Sequence, residues 1–340
     1  MASQFTPTEG VLSGQYVIVA CDFMRQRGFT AEQVLAGTQI SLEDLQQHPD
    51  HLLSYRALLQ LIENISYLDS SPTLSFEIGL CLNVSHHGFL GYAVQASPTL
   101  GDALLLAARY TEIRAALLSF KVDVDAGEAS ISIDDNGMLG QWLSQIIEAL
   151  LGCLFVVGNE LLGSLDNQHL RLELPFPIRD HLQIAMQMQG ATVTFDCPKT
   201  RICFPSAWLN KRFQRPDPNL VRLAVAHCDE VLESVGQQQD WVAKVGQQMK
   251  SYLADPKAQE KVATALNMTP RTLHRRLASN QLNFKTMIDN LRRNQAIEQL
   301  RYSSEAIGNI AQGLGYSDQS NFVRAFKRWT GKTPKQFRDQ

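Results

Sequence analysis

"AIGNIAQGLGYSDQSNFVRAFKRWTGKTPKQFR", residues 306–338, decides how this chain is read. Ile307, Ile310, Ala311 and Leu314 recur at i, i+3, i+4 and i+7, the spacing of a helix with one buried face. Gly313-Leu314-Gly315-Tyr316 ends that helix, because a glycine just past a helix takes left-handed backbone without a Cβ clash. Ser317 or Asp318 is placed to cap a second helix. Phe322, Phe326 and Trp329 fall on one side of it, and Ser320, Asn321, Arg324, Lys327 and Arg328 on the other. Gly331 stops this helix, and Thr333-Pro334 opens a short last one.

The same plan precedes it in "AQEKVATALNMTPRTLHRRLASNQLN", residues 258–283. Val262, Ala263 and Leu266 face inward from a first helix. Asn267-Met268-Thr269 makes the turn, with Thr269 as cap and Pro270 at the first helical position. Leu273 and Leu277 lie four apart on the packed side of the second helix. At 100° per residue, Arg271, His274 and Arg275 take the opposite side. Both units are thus helix-turn-helix, with apolar anchorage behind and hydrogen-bonding groups in front, as a helix reading a major groove requires. Arg suits guanine, Asn or Gln suits adenine, and other Lys or Arg hold phosphate. Phe284–Tyr302 joins the units with helical periodicity and no Gly or Pro. Its length of about 28 Å approaches the roughly 34 Å between major-groove faces one turn apart. The competing reading, solvated basic faces of an ordinary bundle, accounts poorly for two units at this spacing.

Charge divides the chain likewise. Residues 241–340 hold 17 Lys or Arg against 7 Asp or Glu, so +10, whereas residues 1–240 hold 14 against 27, so −13. A basic C-terminal hundred residues in a chain of net charge −3 marks a nucleic-acid module appended to an acidic domain. "RPDPNL" (215–220) signals a boundary, a helix is expected over Leu220–Val235, and "GQQQD" (236–240) reads as the linker. The domains are therefore expected at 1–238 and 239–340.

The first domain mixes patterns. Helical periodicity marks Val11–Arg27, Tyr55–Leu68, Leu100–Leu118 and Ile178–Gln189. Strand patterns mark Ser119–Val124 and Glu128–Asp134, paired through a turn at Asp125-Ala126-Gly127, then His169–Leu174 and Thr192–Phe195. The expected fold class is an α+β N-terminal sensor domain followed by an all-α C-terminal domain with two helix-turn-helix motifs and a linker helix. Polar residues interrupt the apolar run Leu143–Leu162, which reads as one or two buried helices rather than a membrane span. The N-terminus shows no secretory pattern, so cytoplasm is expected. Six scattered cysteines without a CxxC pair read as reduced, buried thiols.

"SSEAIGNIAQGLGYSDQSNFVRAFKRWTGKTPKQFR" (303–338) resembles the signature of the AraC/XylS family of transcription regulators, through Ile310-Ala311, Gly315-Tyr316, Phe322, Arg324, Phe326-Lys327, Gly331 and Thr333-Pro334. The resemblance covers roughly 240–340 and implies a seven-helix DNA-binding domain. It implies base contacts from Arg271, His274 and Arg275, then from Gln319, Ser320, Asn321 and Arg324, with Thr269, Lys327 and Arg328 at phosphates. His274 stands where many relatives have Gln, and Gln319 projects toward the apolar side. "HHGFLGYAVQASPTLGDAL" (86–104) and "QRPDPNL" resemble the sensor domain of the ornithine-utilisation-regulator branch. That implies a small-molecule effector, a homodimer and contact with RNA polymerase, besides double-stranded DNA, and no membrane or cofactor.

Other features carry less. Phe89, Tyr92, Arg109, Tyr110 and Arg114 could line an effector pocket, with Arg109 and Arg114 on a carboxylate; a salt-bridged helix surface is the alternative. His86-His87-Gly88 suits packing or capping better than a metal, since adjacent histidines do not easily meet one ion. Asp134-Asp135 reads as a solvated turn. No Ser-His-Asp order, phosphate loop or HExxH is present, and no cysteine cluster supports a DNA-repair methyltransferase. An enzyme with a localising basic tail and a constitutive DNA-binding protein remain the alternative readings.

Overall fold

The computed structural model describes residues 10–135, 139–163, 167–238, 241–279, 282–303 and 305–338. The N-terminal segment 1–9 and residues 239–240 of the expected linker lie outside the described residues.

The chain starts with β1 (Gly10–Ser13), α1 (Gly14–Gln26), α2 (Ala31–Val34), α3 (Leu42–Gln47), β2 (Leu52–Ser54) and α4 (Tyr55–Leu68). Ser13 and Ser54 cap α1 and α4 by accepting from the backbone amides of Gln15 and Ala57. The helix expected from Val11 begins only at Gly14, because Gly10–Ser13 pairs antiparallel with β2. Then come α5 (Leu74–Leu80), α6 (Gly88–Gln95) and α7 (Leu100–Tyr110). The expected helix Leu100–Leu118 stops at Tyr110 and turns through a tight 3-10 segment, Thr111–Ile113. This break reorients Arg114.

A five-stranded sheet follows, in the order β3 (Ser119–Asp125), β4 (Glu128–Asp134), β7 (Thr200–Pro205), β5 (Arg171–Glu173) and β6 (Thr192–Thr194). The β3–β4 hairpin turns on Ala126 and Gly127, whose φ values of 44° and 88° are the two positive angles of a tight hairpin turn. The connection between the parallel pair β5 and β6 contains α9 (Asp180–Met188). Strand β7 lies between β4 and β5 and was not foreseen from the sequence. Its Cys203 is buried along with Ile202 and Phe204, so simple alternation is lost.

Leu143–Leu162 forms one helix, α8. By length and composition it is the one helix among the described residues that could cross a membrane. Here α8 packs closely on α5. A Cβ on Gly79 would stand 2.0 Å from the Ala149 carbonyl oxygen, and one on Gly152 would stand 2.4 Å from that of Phe76. Glu148 of α8 is buried and meets Arg179, just before α9, and His181, in its first turn, at 3.3 and 3.2 Å. Burial pushes its pKa up, while hydrogen bonding to His181 and the charge on Arg179 oppose the shift.

α10 (Pro218–Gln238) returns along α6. The C-terminal part holds α11 (Trp241–Ser251), α12 (Ala258–Ala265), α13 (Pro270–Ser279), α14 (Phe284–Tyr302), α15 (Ile307–Gly313), α16 (Gln319–Thr330) and α17 (Pro334–Arg338). These are seven helices among the described residues, the number the resemblance implied. One apolar core runs from the sheet through Leu253, Leu273, Met287 and Leu291 into Phe322 and Phe326.

Asp134-Asp135 is not a solvated turn. Asp134 closes β4 and pairs with Lys250 of α11 at 2.8 Å. Asp135 is 6% exposed and accepts from the Leu139 amide. Its charge supports the protonated form of Arg293 on α14, whose pKa burial otherwise lowers. These acids belong to the contact between the two halves.

Candidate nucleic-acid interface and sensing cavity

The first helix-turn-helix is α12–α13. Asn267 carries the turn with φ of 54°, a left-handed angle Asn tolerates. The Thr269 hydroxyl accepts from the Thr272 amide at 3.2 Å, starting α13. Leu273 and Leu277 are fully packed, and Arg271, His274 and Arg275 are exposed. Arg276 does not join them, since its guanidinium stacks 4.6 Å over Trp241.

The second is α15–α16. Gly315 has φ of 81°, and a Cβ there would sit 2.5 Å from the Ala254 carbonyl oxygen, in the segment between α11 and α12. The turn thus rests on the first unit's flank. Tyr316 packs on Phe322 and Trp329, and Arg292 lies 5.4 Å over its ring. Asp318, not Ser317, caps α16, accepting from the Asn321 amide at 2.8 Å. Asn321 donates its side-chain amide to Asp318 and accepts from Arg324 at 2.7 Å. Arg324 is therefore held in one orientation on an exposed face with Gln319 and Ser320. Gln319 is exposed at the first turn, with its side-chain oxygen lying toward Gly308 of α15, where a Cβ would stand 3.2 Å from it. Lys327 is exposed, whereas Arg328 meets Asp289 at 3.3 Å.

The N-terminal part holds a partly open cavity of about 250 Å³, bordered by α1, α4, α5, α6, α7, α8 and Phe120 of β3. Leucine, isoleucine, valine and alanine dominate its lining, which contains no Asp or Glu among the described residues. Of the five pocket residues expected from the sequence, only Arg114 lines it. Phe89 and Tyr92 stand 45% and 43% exposed, Phe89 against His227 of α10. Arg109 and Tyr110 both reach Asp229 of α10, at 2.8 and 2.6 Å. For Arg109 this is the salt-bridged surface reading.

Sequence reasoning missed the cavity's polar corner. His87 is hydrogen-bonded between the Tyr16 hydroxyl at 2.8 Å and the Cys153 thiol at 3.3 Å. Burial, then the charge on Arg114, lowers the His87 pKa to about 4. Burial pushes both Tyr16 and Cys153 up to about 12. All three are neutral near pH 7, and among the described residues Arg114 is the only Lys or Arg in the lining. Its guanidinium lies 5.4 Å over the Tyr16 ring, donates to the His86 carbonyl at 2.9 Å and pairs with exposed Asp50. Neighbouring His86 caps backbone, accepting from the Asn83 amide, and no metal-ligating cluster occurs among the described residues.

Comparison with known proteins agrees with both halves. Residues 28–213 match the family described as the arabinose-binding domain of AraC transcription regulator, N-terminal, and residues 262–340 match a helix-turn-helix domain. The chain is 27% identical over 324 residues to the ornithine utilization regulator of Pseudomonas aeruginosa, covering 95% of each. It is 24% identical over 324 residues, 94% of each chain, to an uncharacterized helix-turn-helix-type transcriptional regulator of Mycobacterium tuberculosis. The crystal structure of the transcriptional regulator CdpR from P. aeruginosa aligns with 83% of this chain and 91% of its own, with 23% identity and a TM-score of 0.44. With a sensing domain matched over more than half its length and two helix-turn-helix units behind it, the chain belongs to the AraC family of DNA-binding transcription regulators.

Proposed function

We propose that α13 and α16 enter successive major grooves of one operator, with α14 as the rigid spacer between them. The observation that carries this is the pair of polar faces, exposed at Arg271-His274-Arg275 and at Gln319-Ser320-Arg324 with half-buried Asn321 between, each backed by fully buried side chains. In this reading the second face reads bases through Arg324, oriented by Asn321, while Thr269, Lys327 and Arg328 contact phosphate. The 1–238 half senses a small molecule in the cavity. It also dimerises. The bound protein contacts RNA polymerase in the cytoplasm, and the sensing half and the 239–340 half act as separate domains.

The test is binding of full-length protein to its selected operator and to random duplex at several salt concentrations. Arg275→Ala or Arg324→Ala is expected to cost about 1–3 kcal/mol at one base pair and to leave random-duplex binding nearly unchanged. Lys327→Ala is expected to weaken both duplexes alike and lower the salt slope by about one. Equal losses on both duplexes for Arg324→Ala would remove its base-reading role.

A further inference from the structure

The cavity's chemistry narrows the effector beyond what family membership says, resting on the reading that this half senses a small molecule. A sugar needs hydrogen-bonding partners around its whole rim, because each hydroxyl buried without one is costly. This lining is mostly aliphatic. A diamino acid needs carboxylates for its ammonium groups. Among the described residues the lining has no Asp or Glu, and its histidine is held neutral by burial.

What the lining does have is one buried cation. The Arg114 side chain is 7% exposed, and its partner Asp50 stands 73% exposed at the surface. One nitrogen is occupied by Asp50 and another by the His86 carbonyl, while the buried Nε has no acceptor among the described residues. A guanidinium in this state retains capacity for a planar carboxylate, which takes two parallel hydrogen bonds from its fork. Both His87 nitrogens are engaged, by Tyr16 and Cys153, so it is the Tyr16 hydroxyl beside the guanidinium that can donate one more, in the tautomer where His87 Nδ1 donates to it. The rest of the space suits a hydrocarbon tail. An apolar cavity of roughly 150 Å³ holds benzene with its six heavy atoms, so about 250 Å³ holds roughly ten.

We infer that the effector is an apolar monocarboxylate of about ten heavy atoms, an acyl or arylalkyl acid, whose carboxylate is anchored by Arg114 and whose tail lies among the aliphatic side chains of α4, α5 and α8. The carboxylate joins Asp50 on the same guanidinium, so occupancy bears on the segment between α3 and β2 that carries Asp50.

Calorimetric titration of the full-length protein tests this with octanoate, phenylacetate, octanamide, L-arabinose and L-ornithine. Octanoate or phenylacetate is expected to bind, whichever matches the tail shape, and octanamide to bind about tenfold more weakly than octanoate, or worse. Arg114→Gln is expected to abolish the difference between octanoate and octanamide. Should that buried substitution unfold the domain, Ile65→Trp, which fills the cavity and leaves Arg114 in place, is expected to abolish octanoate binding. Equal affinity for octanoate and octanamide overturns the anchoring role. Binding of arabinose or ornithine with both acids silent overturns the effector class and leaves the sensing reading standing. Silence from all five overturns the class and removes the cavity from the sensing reading as well.

Discussion

Arg109 and Arg114 lie five positions apart and do different jobs. Arg109 ends α7 and pairs at the surface with Asp229, whereas Arg114, beyond the 3-10 turn, is buried at the cavity. His87 shares that environment and gives it a pH dependence. Its pKa is about 4 in the folded protein and about 6.5 when unfolded, so between these values the unfolded chain binds the extra proton. Stability therefore falls as pH drops through that window, by about 2 kcal/mol between pH 7 and 5. His87→Gln is expected to remove this part of the slope in urea unfolding curves measured at both pH values. Gly315 is held to glycine by its positive φ and by the nearby Ala254 carbonyl. Gly315→Ala is expected to cost about 2 kcal/mol or more, since left-handed strain adds to the collision with the Ala254 carbonyl. Chemical denaturation measures it.

At the scale of elements, α16 is the helix whose start and outward face are built from the same groups. Asp318 caps its N-terminus and holds Asn321, which holds Arg324. Asp318→Ala is expected to cost about 1 kcal/mol of stability and to weaken operator binding, although it removes a negative charge from a DNA-facing surface. Tighter operator binding would show charge outweighing orientation. Behind that face, Phe326 is fully buried and packs on Phe322, Trp329 and Phe337. Phe326→Ala is expected to cost about 3–5 kcal/mol, read as a fall in Tm. The helices of the two helix-turn-helix units and the helix between them were legible because each carries its own apolar stripe, with caps at Thr269, Asn283 and Asp318, whereas α11 was not read from the residues. Phe284–Tyr302 came out as one helix with those ends. The strand patterns at His169–Leu174 and Thr192–Phe195 came out as β5 and β6 with shorter ends, whereas β1, β2 and β7 went unread, because three to six residues hold too little periodicity to stand out.

Across the whole molecule the two halves meet through charge as well as apolar packing. Asp134 pairs with Lys250, and Asp135 lies where its charge supports largely buried Arg293. The exposed pair contributes little, under about 1 kcal/mol. The buried one matters more: Asp135→Asn is expected to destabilise by about 1–3 kcal/mol, and less in an Arg293→Met background, because a buried charge left alone is the costly state. A double-mutant cycle on the full chain checks it. No sequence signal marked Asp135 as buried, since its partner environment lies over a hundred positions away on α14.

By itself the sequence determined the DNA-binding half, its two helix-turn-helix units and the residues on their outer faces. Helical periodicity places a side chain inside or outside from its neighbours three and four positions away, so the information is local. The cavity was decided only by tertiary structure. Tyr16, His87, Arg114 and Cys153 come from four separated segments, and the aliphatic wall around them from several more. Each of those side chains alone reads as ordinary core or surface. Their packing around a space they do not fill, with one cation left at its edge, creates a binding site.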